Sequence, residues 1–576
     1  MTPSPTQTMR PEMPGTAALA WLSRRPLAVL FLLCFALWLP GVLSLPPLDR
    51  DESRFAQSSR QMLESRNFID IRFGAVPRYK KPAGIYWLQA ATTAVAGLGN
   101  HDRIWTYRLP SLLGGVLAAW LAFWCARAFA SAEVALLAAT LLSGTLLLTA
   151  EASIATTDAA LLACTLGAQA VLLRAYLAAR DAAYAPLTLG LALAGWAAFA
   201  IGILIKGPVV IAVSGVTLLA LVLWDREWCW LKTLRPWRGL ALTLAVVTPW
   251  MVAIAIQSHG QFYEQSLGHD FANKLQGGQE THGAPPGYYL LLTTLCFWPA
   301  TLFLLPSIGA AIARRGEPAV RFLLAWAGAN WLMFEIVPTK LPHYILPAYP
   351  VLAILAALWA LTPRVEAQPL WQRVLYYIAP IQFLLAVAAF AAAPIVSPGM
   401  YGDGTTWWLI ALAAVVAILG ISAVVALLRD SNLAASACAL ACALVLYPTI
   451  ALGVAPRLAQ IWISPRAAAL VAKDARPGDP PPALAGYEEP SLVFLLGTET
   501  RLTNGFGAAE AGAGQGGLAL VEDSERASFL AHLSELQADA TPLDSLSGLN
   551  YSRGKPVHIT VYRVAPVHEV TAPPPD

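Results

Sequence analysis

The sequence predicts a polytopic α-helical membrane protein with a soluble α/β domain at its C-terminal end. Of its 576 residues, 57% are hydrophobic and only 13% are charged, whereas soluble domains carry roughly 25% charged residues. Apolar stretches of about 17 to 25 residues, enough to cross a hydrocarbon core of about 30 Å, recur along the first four-fifths of the chain. Beyond residue 456 this pattern gives way to short mixed segments typical of an α/β domain.

The segment 17–456 is predicted to hold about thirteen transmembrane helices. The expected spans are 26–47, 109–129, 134–150, 159–177, 186–204, 208–224, 239–256, 287–312, 321–337, 344–362, 373–395, 406–428 and 432–454. The first stretch follows "SRRP" and has a signal peptide as its alternative interpretation. Its length and the lack of a small-residue cleavage site favour an uncleaved anchor.

Basic residues orient the chain in the membrane. Arg24 and Arg25 and the loops 225–239, 313–321 and 362–373 fall on one side of the predicted spans, which should be cytoplasmic. With thirteen crossings, the first outer loop, 49–108, and the segment 457–576 lie on the other side. The seven cysteines fall in spans or on the cytoplasmic side, so no disulfide is expected outside. A net charge of +3 is too small to imply a nucleic-acid partner.

Three short segments outside the predicted spans have distinctive compositions. Residues 1–16 are polar and rich in proline, which predicts a disordered tail. After the last predicted span, the run "DARPGDPPP" at 474–482 breaks any helix and predicts a linker or loop. The segment beyond it mixes short apolar runs, "SLVFLLG" and "HITVYRV", with the helix-like "SERASFLAHLSEL". The run "GAAEAGAGQGG" at 507–517 lacks the Lys and Ser/Thr of a phosphate-binding loop, so we expect a flexible loop there.

The first outer loop is predicted to form a roof over the spans. Phe55, Met62 and Leu63 share one face of a helix beginning near Ser53, which indicates a helix lying in the membrane interface. The apolar stretch 84–99 is too short to span comfortably, and its Tyr86 and Trp87 favour the headgroup level.

Carboxylates stand next to the predicted spans on the outer side. Asp51 and Glu52 follow the first span, and Asp158 stands at the outer start of the fourth. Acids beside hydrocarbon are costly and mark a partner or a reaction. The alternative is structural: they cap helices, as Asp158 after "IATT" can, or pair with nearby arginines.

Cations from several loops gather on the same side. They are Lys80 and Lys81 in "RYKKP", Lys206 in "LIKGP", Lys274 in "ANKL", and Lys340 with His343 and Tyr344 in "PTKLPHY". Any one lysine can instead reach toward headgroups from a span end. Together with the acids they predict a pocket for a substrate with a phosphate leaving group and a nucleophile to be aligned. Four prolines in "VPTKLPHYILPAYP" prevent a regular helix and predict a cavity into which Lys340 and Tyr344 point.

Six of these stretches, taken together, resemble one family. The chain is similar to the integral-membrane glycosyltransferases of the GT-C type, in the family of the lipid A 4-amino-4-deoxy-L-arabinose transferases and the protein O-mannosyltransferases (glycosyltransferase family 39). The matching stretches, in family order, are "LDRDESRFAQSSRQML", "RYKKPAGIYWLQA", "SIATTDAALLA", "LIKGPV", "PPGYYLLLTTLCFWPATLFLLP" and "PTKLPHYILPAYP". They cover the chain from about 40 to 350. The spans and the outer tail resemble the arabinose-transferase branch more than the mannosyltransferases.

The resemblance implies transfer of a monosaccharide from a polyprenyl (undecaprenyl) phosphate to a lipid A or lipopolysaccharide-type acceptor. It implies a catalytic role for Asp51 and Asp158, with Glu52 as support. The residues expected to bind the donor phosphate are Lys81, Lys206, Lys274, Tyr344, Lys340 and His343. A bacterial inner membrane, with the site and C-terminal domain in the periplasm, and a monomer in contact with membrane lipids are the corresponding expectations.

One position departs from the family pattern. Arabinose transferases tend to carry Glu-Lys-Pro where this chain has Lys80, Lys81 and Pro82, and that Glu shares a structural zinc with a His that would match His269. Lys80 removes an anionic ligand and adds a cation, which argues against a divalent metal, and no other cofactor is implied. The extra positive charge favours an acidic sugar over an amino sugar.

Single displacement at the anomeric carbon would invert its configuration. If the acceptor is a hydroxyl, Asp51 is the candidate general base; if it is an ionised phosphate, Asp51 can only position it. A flippase or exporter of lipid-linked sugars is the alternative function, although transporters place such residues near the midplane and often have two related halves. An interaction scaffold would account for the tail but not for the acids.

Overall fold

The computed structural model describes residues 16–271, 284–362 and 369–566. The predicted disordered tail lies almost wholly outside these ranges, and so does Lys274. Of His269 only the backbone is described, within the helical segment Glu264–Phe271.

Long apolar helices dominate the N-terminal four-fifths of the chain. Within the described ranges, nine helices are long and apolar enough to cross a membrane: Pro26–Ser44, Ile104–Ala126, Asp158–Ala178, Leu189–Lys206, Pro236–Gln257, Pro342–Leu361, Leu370–Tyr401, Trp407–Leu428 and Asn432–Arg457. A tenth span is formed if Ala132–Gly144 and Leu146–Ser153, bent by 64°, are counted as one. The protein is therefore a polytopic helical membrane protein, as predicted.

The three remaining predicted spans also contain helices, although these do not combine the length and hydropathy of the nine. Val209–Asp225 and Pro318–Ile336 correspond to two of them. The stretch 287–312 forms two helices, Tyr288–Cys296 and Thr301–Ala313, instead of one. Each of the thirteen predicted stretches thus holds at least one helix, while thirteen crossings stay a prediction.

The first outer loop folds into helix Asp51–Ser65, a ribbon of β1 (Arg72–Phe73) and β2 (Val76–Pro77), and helix Gly84–Ala96. Phe55 and Met62 are buried, as the predicted apolar face requires. Tyr86 is buried too, its ring 5.4 Å from that of Phe55 between centroids, so its side chain packs inside the protein. Its headgroup level in a membrane stays a prediction.

The C-terminal segment contains a five-stranded sheet in the order β4-β3-β5-β7-β6. Its strands are β3 (Ala483–Ala485), β4 (Arg501–Thr503), β5 (Gly517–Glu522), β6 (Ala540–Asn550) and β7 (Lys555–Val564). The first three are parallel, and β7 pairs antiparallel with β5 and β6. Helices Ile463–Asp474 and Pro490–Leu496 cover one face, and Gly505–Gln515 and Asp523–Glu535 cover the other.

One prediction in this domain is wrong. The run 507–517, expected to be a flexible loop, forms most of helix Gly505–Gln515 and the start of β5. The Asn504 side chain caps the helix by accepting from the Gly507 backbone N–H at 3.0 Å. Ala508 and Ala509 are fully buried against the sheet, and such small side chains let the helix approach it closely. Burial of this alanine face compensates for the weak helix propensity of the glycines.

The C-terminal domain rests on the first-loop helix Asp51–Ser65. The Phe494 ring meets that of Tyr107 edge-on with centroids 5.5 Å apart. Arg60 Nη1 donates to the Phe494 carbonyl at 3.0 Å, and Gln57 Nε2 donates to Thr498 Oγ1 at 2.7 Å. The helix predicted to lie in the membrane interface thus contacts a folded domain.

Candidate active site

A cavity of about 430 Å³ lies among the spans where several helices end. Its walls are mostly apolar and include Leu161, Ile203, Met251 and Phe334. Polar side chains gather among these walls: Lys80, Lys81, Asp158, Lys206, His343 and Tyr344. An apolar groove with a few convergent polar groups fits an amphiphilic ligand with a charged head.

Asp158 and Lys206 form a buried ion pair at this cavity. Asp158 is the first residue of its helix and Lys206 is the last of its own, so each charge complements a helix dipole. Lys206 Nζ lies 2.6 Å from Asp158 Oδ1, and both residues are buried. Gly207, with φ +66°, turns the chain directly after the lysine. The carboxylate holds the ammonium at the cavity while leaving two of its N–H groups to other acceptors.

Glu151 joins this cluster, although the sequence analysis did not single it out. Its Oε2 accepts from Thr156 Oγ1 at 2.7 Å, and its Oε1 lies 3.8 Å from Nδ1 of His343. The signal was present in the sequence, since Glu151 precedes Asp158 within the same stretch, "EASIATTD".

Glu151, Asp158 and His343 offer donor atoms that all lie within 4.8 Å of one another, as metal ligands would. The Lys206 ammonium, 2.6 Å from Asp158, already supplies the counter-charge there, and a divalent cation beside it would meet electrostatic repulsion. The donor set therefore fits an ion-pair network better than a metal centre. Lys80, the other position that bears on a metal, is exposed at the cavity.

Lys340 lies apart from the cavity lining. Its ammonium donates to the carbonyl oxygens of Glu335, at 2.6 Å, and Val337, at 3.1 Å, where helix Pro318–Ile336 ends. The Glu335 carboxylate lies 3.6 Å away, and Lys340 is buried. A lysine in this position caps the last turn of a helix.

Asp51 stands at the first turn of the first-loop helix with its side chain 66% exposed. It forms a long ion pair with Arg78, whose Nη2 lies 3.9 Å from Oδ1. Arg78 is mostly buried, with its guanidinium 5.3 Å from the Phe55 ring centroid. Sequence reasoning missed this arginine, which opens the "RYKKP" stretch. An exposed carboxylate beside a fixed cation is accessible to an incoming acceptor.

Glu52 differs from Asp51 in its burial and in its hydrogen-bond partners. It is buried and bound in a bidentate pair by Arg108, with Nε at 2.7 Å and Nη2 at 2.9 Å. Its oxygens also accept the backbone N–H of Leu48 at 2.8 Å and of Ala155 at 2.7 Å. Arg108 in turn donates to the Leu45 carbonyl at 2.7 Å. The pair ties the end of the first span to two others and leaves Glu52 no oxygen facing the cavity.

The fold has a counterpart of known structure. The crystal structure of ArnT from Cupriavidus metallidurans bound to undecaprenyl phosphate superposes with a TM-score of 0.72, covering 94% of this chain and 98% of that one at 20% identity. The chain therefore shares the fold of this ArnT. The fold that the six sequence stretches implied is confirmed.

Sequence comparisons agree with this likeness of fold. Residues 80–252 match the family described as dolichyl-phosphate-mannose-protein mannosyltransferase. The undecaprenyl phosphate-alpha-4-amino-4-deoxy-L-arabinose arabinosyl transferase of Edwardsiella ictaluri is 32% identical over 346 residues, 58% of each chain. Its counterpart in Pectobacterium carotovorum is 29% identical over 66% of this chain and 67% of that one. The first of these matches thus spans little more than half the length of the curated relative.

Proposed function

We propose that the protein transfers a monosaccharide from undecaprenyl phosphate to a lipid A or lipopolysaccharide-type acceptor. The reaction takes place at the periplasmic face of the bacterial inner membrane and inverts the anomeric carbon. The observation that carries this proposal is the apolar cavity with its lysines, Lys81 and Lys206, beside the buried Asp158. A polyprenyl chain needs such an apolar groove, and its phosphate needs cations at the end of it.

In this mechanism the donor phosphate sits near Lys81, Lys206 and Tyr344, all of which line the cavity. Lys274 stays a predicted contributor outside the described residues. The acceptor oxygen attacks the anomeric carbon while the bond from that carbon to the phosphate oxygen breaks. Undecaprenyl phosphate leaves with the electron pair, and the cations stabilise its charge.

Asp51 acts on the acceptor side. A hydroxyl acceptor passes its proton to the Asp51 carboxylate, whereas an ionised phosphate acceptor needs only alignment. Asp158 holds Lys206 in place through their 2.6 Å contact, which makes it a positioning residue in this proposal. Glu52 has a structural role, because both its oxygens are occupied.

A lipid-linked-sugar flippase is not favoured by this geometry. Asp158 and Lys206 stand at the terminal residues of their helices, whereas transporters usually place their ionisable residues near the midplane. The site therefore fits chemistry at one membrane face.

The function is tested by mass spectrometry of the lipid and lipopolysaccharide fractions from host cells with and without the gene. We expect a polyprenyl phosphate sugar to accumulate without the gene, while one glycan loses the matching mass. An anionic sugar is expected, since Lys80 adds a cation at the cavity. A donor that merely redistributes between the membrane faces would contradict transfer and support transport.

Replacing Lys206 should weaken donor binding. We expect Lys206→Met to lower the affinity for undecaprenyl phosphate about 10- to 100-fold, since a hydrogen bond to a charged group contributes about 1.5–3 kcal/mol. Lys206→Arg should retain most of the affinity, because it keeps the charge. The measurement is a binding titration of the purified protein in detergent.

Lys473→Met is the matched control for this variant. It breaks the exposed Lys473–Asp544 pair in the C-terminal domain, far in sequence from the cavity residues, and should leave affinity unchanged.

The double variant Lys206→Met/Asp158→Asn removes the unpaired buried acid and should recover stability but not binding. Wild-type affinity in the folded double variant would show that Lys206 does not hold the phosphate.

A further inference from the structure

The residue before Asp51 has an unusual backbone. Arg50 adopts φ +61° and ψ −113°, outside the regions that an L-residue with a side chain prefers. Such a conformation costs about 1–3 kcal/mol and persists only when surrounding contacts impose it. Something must therefore hold the chain at this point, one residue before the candidate base.

The C-terminal domain supplies those contacts. The hydroxyl of Tyr551 accepts the Asp49 backbone N–H at 2.7 Å. Ser491 Oγ donates to Asp49 Oδ1, and Arg50 Nη2 donates to the Ser552 carbonyl. We call Ser491, Tyr551 and Ser552 the latch. All three lie more than 430 positions away along the chain, so only docking of the domain brings them here.

The latch is itself rigidly built. Glu489 is buried, and its Oε1 accepts from Asn550 Nδ2 at 2.8 Å and from Ser552 Oγ at 2.9 Å. Ser491 Oγ lies 2.6 Å from Ser464 Oγ. These hydrogen bonds join the turn between β6 and β7 to the start of helix Pro490–Leu496. Together the two segments bind Asp49 and Arg50 of the first outer loop.

We propose that the C-terminal domain is a working part of the active site, because its latch holds Asp49 and Arg50 in the conformation that positions Asp51 for transfer. The effect on catalysis rests on the proposed function. Closure of the latch, by which we mean formation of its hydrogen bonds with Asp49 and Arg50, does not. Ser491, Tyr551 and Ser552 are positioning residues, since they act through Asp49 and Arg50.

Protonation of Asp49 supports the same arrangement. The pKa of Asp49 is raised from 3.8 to about 6, chiefly by burial and also by the Glu489 carboxylate, against the lowering effects of Ser491, Tyr551 and Arg50. The titratable and charged groups that interact with Asp49 are Glu489, Tyr487 and Tyr551 of the domain and Arg50 of the loop. A raised carboxyl pKa means that closure favours the protonated form. This contribution to closure is complete below about pH 4 and is lost as the pH rises through about 6.

The test uses full-length Tyr551→Phe and Ser491→Ala in the transfer assay. We expect kcat to fall about 10-fold in each, with the KM for the donor unchanged, because the phosphate cavity is untouched while Asp51 is misplaced. The double variant should lose less than the product of the two, since both residues serve one latch. Tyr562→Phe is the matched control: it removes a buried hydroxyl from the same domain, one without a hydrogen-bond partner in the part of the chain that the structure describes.

Hydrogen exchange of the peptides around 49–52 and 486–491 reads closure directly, without reference to activity. We expect faster exchange in Tyr551→Phe than in the wild type. In the wild type, exchange corrected for its intrinsic pH dependence should rise between about pH 5 and about pH 7, and Asp49→Asn should abolish that rise.

Unchanged exchange together with unchanged kcat in Tyr551→Phe would overturn the latch. An equal loss of kcat in Tyr562→Phe would also overturn it, by showing general destabilisation. A wild-type protein without transfer activity would refute the proposed function alone.

Discussion

Asp51→Asn is expected to lower the rate of sugar transfer about 1,000-fold while the protein folds and inserts normally. General bases contribute roughly 100- to 10,000-fold to rates, and an amide cannot take the acceptor's proton. The side chain is 66% exposed and its only described ion pair, to Arg78, is long at 3.9 Å, so little stability should be lost. The measurement is turnover of undecaprenyl phosphate sugar by wild type and variant in the same detergent, together with thermal unfolding of both.

Asp102→Asn is the matched control for Asp51→Asn. Asp102 is an exposed acid of the same outer loop and should be replaceable without loss of turnover. Normal transfer by Asp51→Asn would remove the candidate base and leave Asp51 as a structural residue. If the natural acceptor is an ionised phosphate, the loss should be smaller, because Asp51 then only aligns it.

Arg108→Met is expected to have the largest effect on stability. It leaves the Glu52 carboxylate buried without its counter-ion, and breaking a buried pair in this way costs about 3–5 kcal/mol. It also removes the donors that reach three carbonyls at and just after the end of helix Pro26–Ser44, those of Val42, Leu45 and Pro46. We expect a marked loss of folded protein in the membrane, read by fluorescence-detected size exclusion after heating.

Three further variants help to interpret this result. Glu52→Leu with Arg108→Met removes both charges and should recover much of the stability. Arg314→Met breaks an exposed pair with Glu317 and should cost less than about 1 kcal/mol. A Glu52→Gln protein that melts like the wild type but has lost transfer would show instead that Glu52 takes part in the chemistry, as its sequence position had favoured.

The helical membrane class, the approximate places of the apolar helices and the buried face of the first-loop helix all follow from local patterns. Their physical basis is local too: hydropathy over about 20 residues decides membrane insertion, and a period of 3.6 decides which face of a helix is apolar. The gathering of Lys81, Lys206, Asp158, His343 and Tyr344 was likewise predictable from where each stands beside a span, and all five line one cavity.

The different environments of neighbouring acids were not predictable. Asp51 and Glu52 are adjacent, yet one is exposed and the other is buried against an arginine 56 residues away. Lys340 and Lys206 are both lysines at helix ends, but one caps carbonyl groups and the other pairs with Asp158. The alanine-rich run at 507–517 forms a helix because a sheet assembled from distant strands covers it.

Hydropathy and motif spacing thus determine which segments are apolar enough to cross a membrane and which residues stand beside them, because those properties depend on residues close in sequence. The partner of each charged group, and the latch that joins Asp49 to Tyr551 across 502 positions, are decided only when the helices pack and the C-terminal domain docks. Burial and pairing set the energy of a charge, and both depend on contacts that no local pattern specifies.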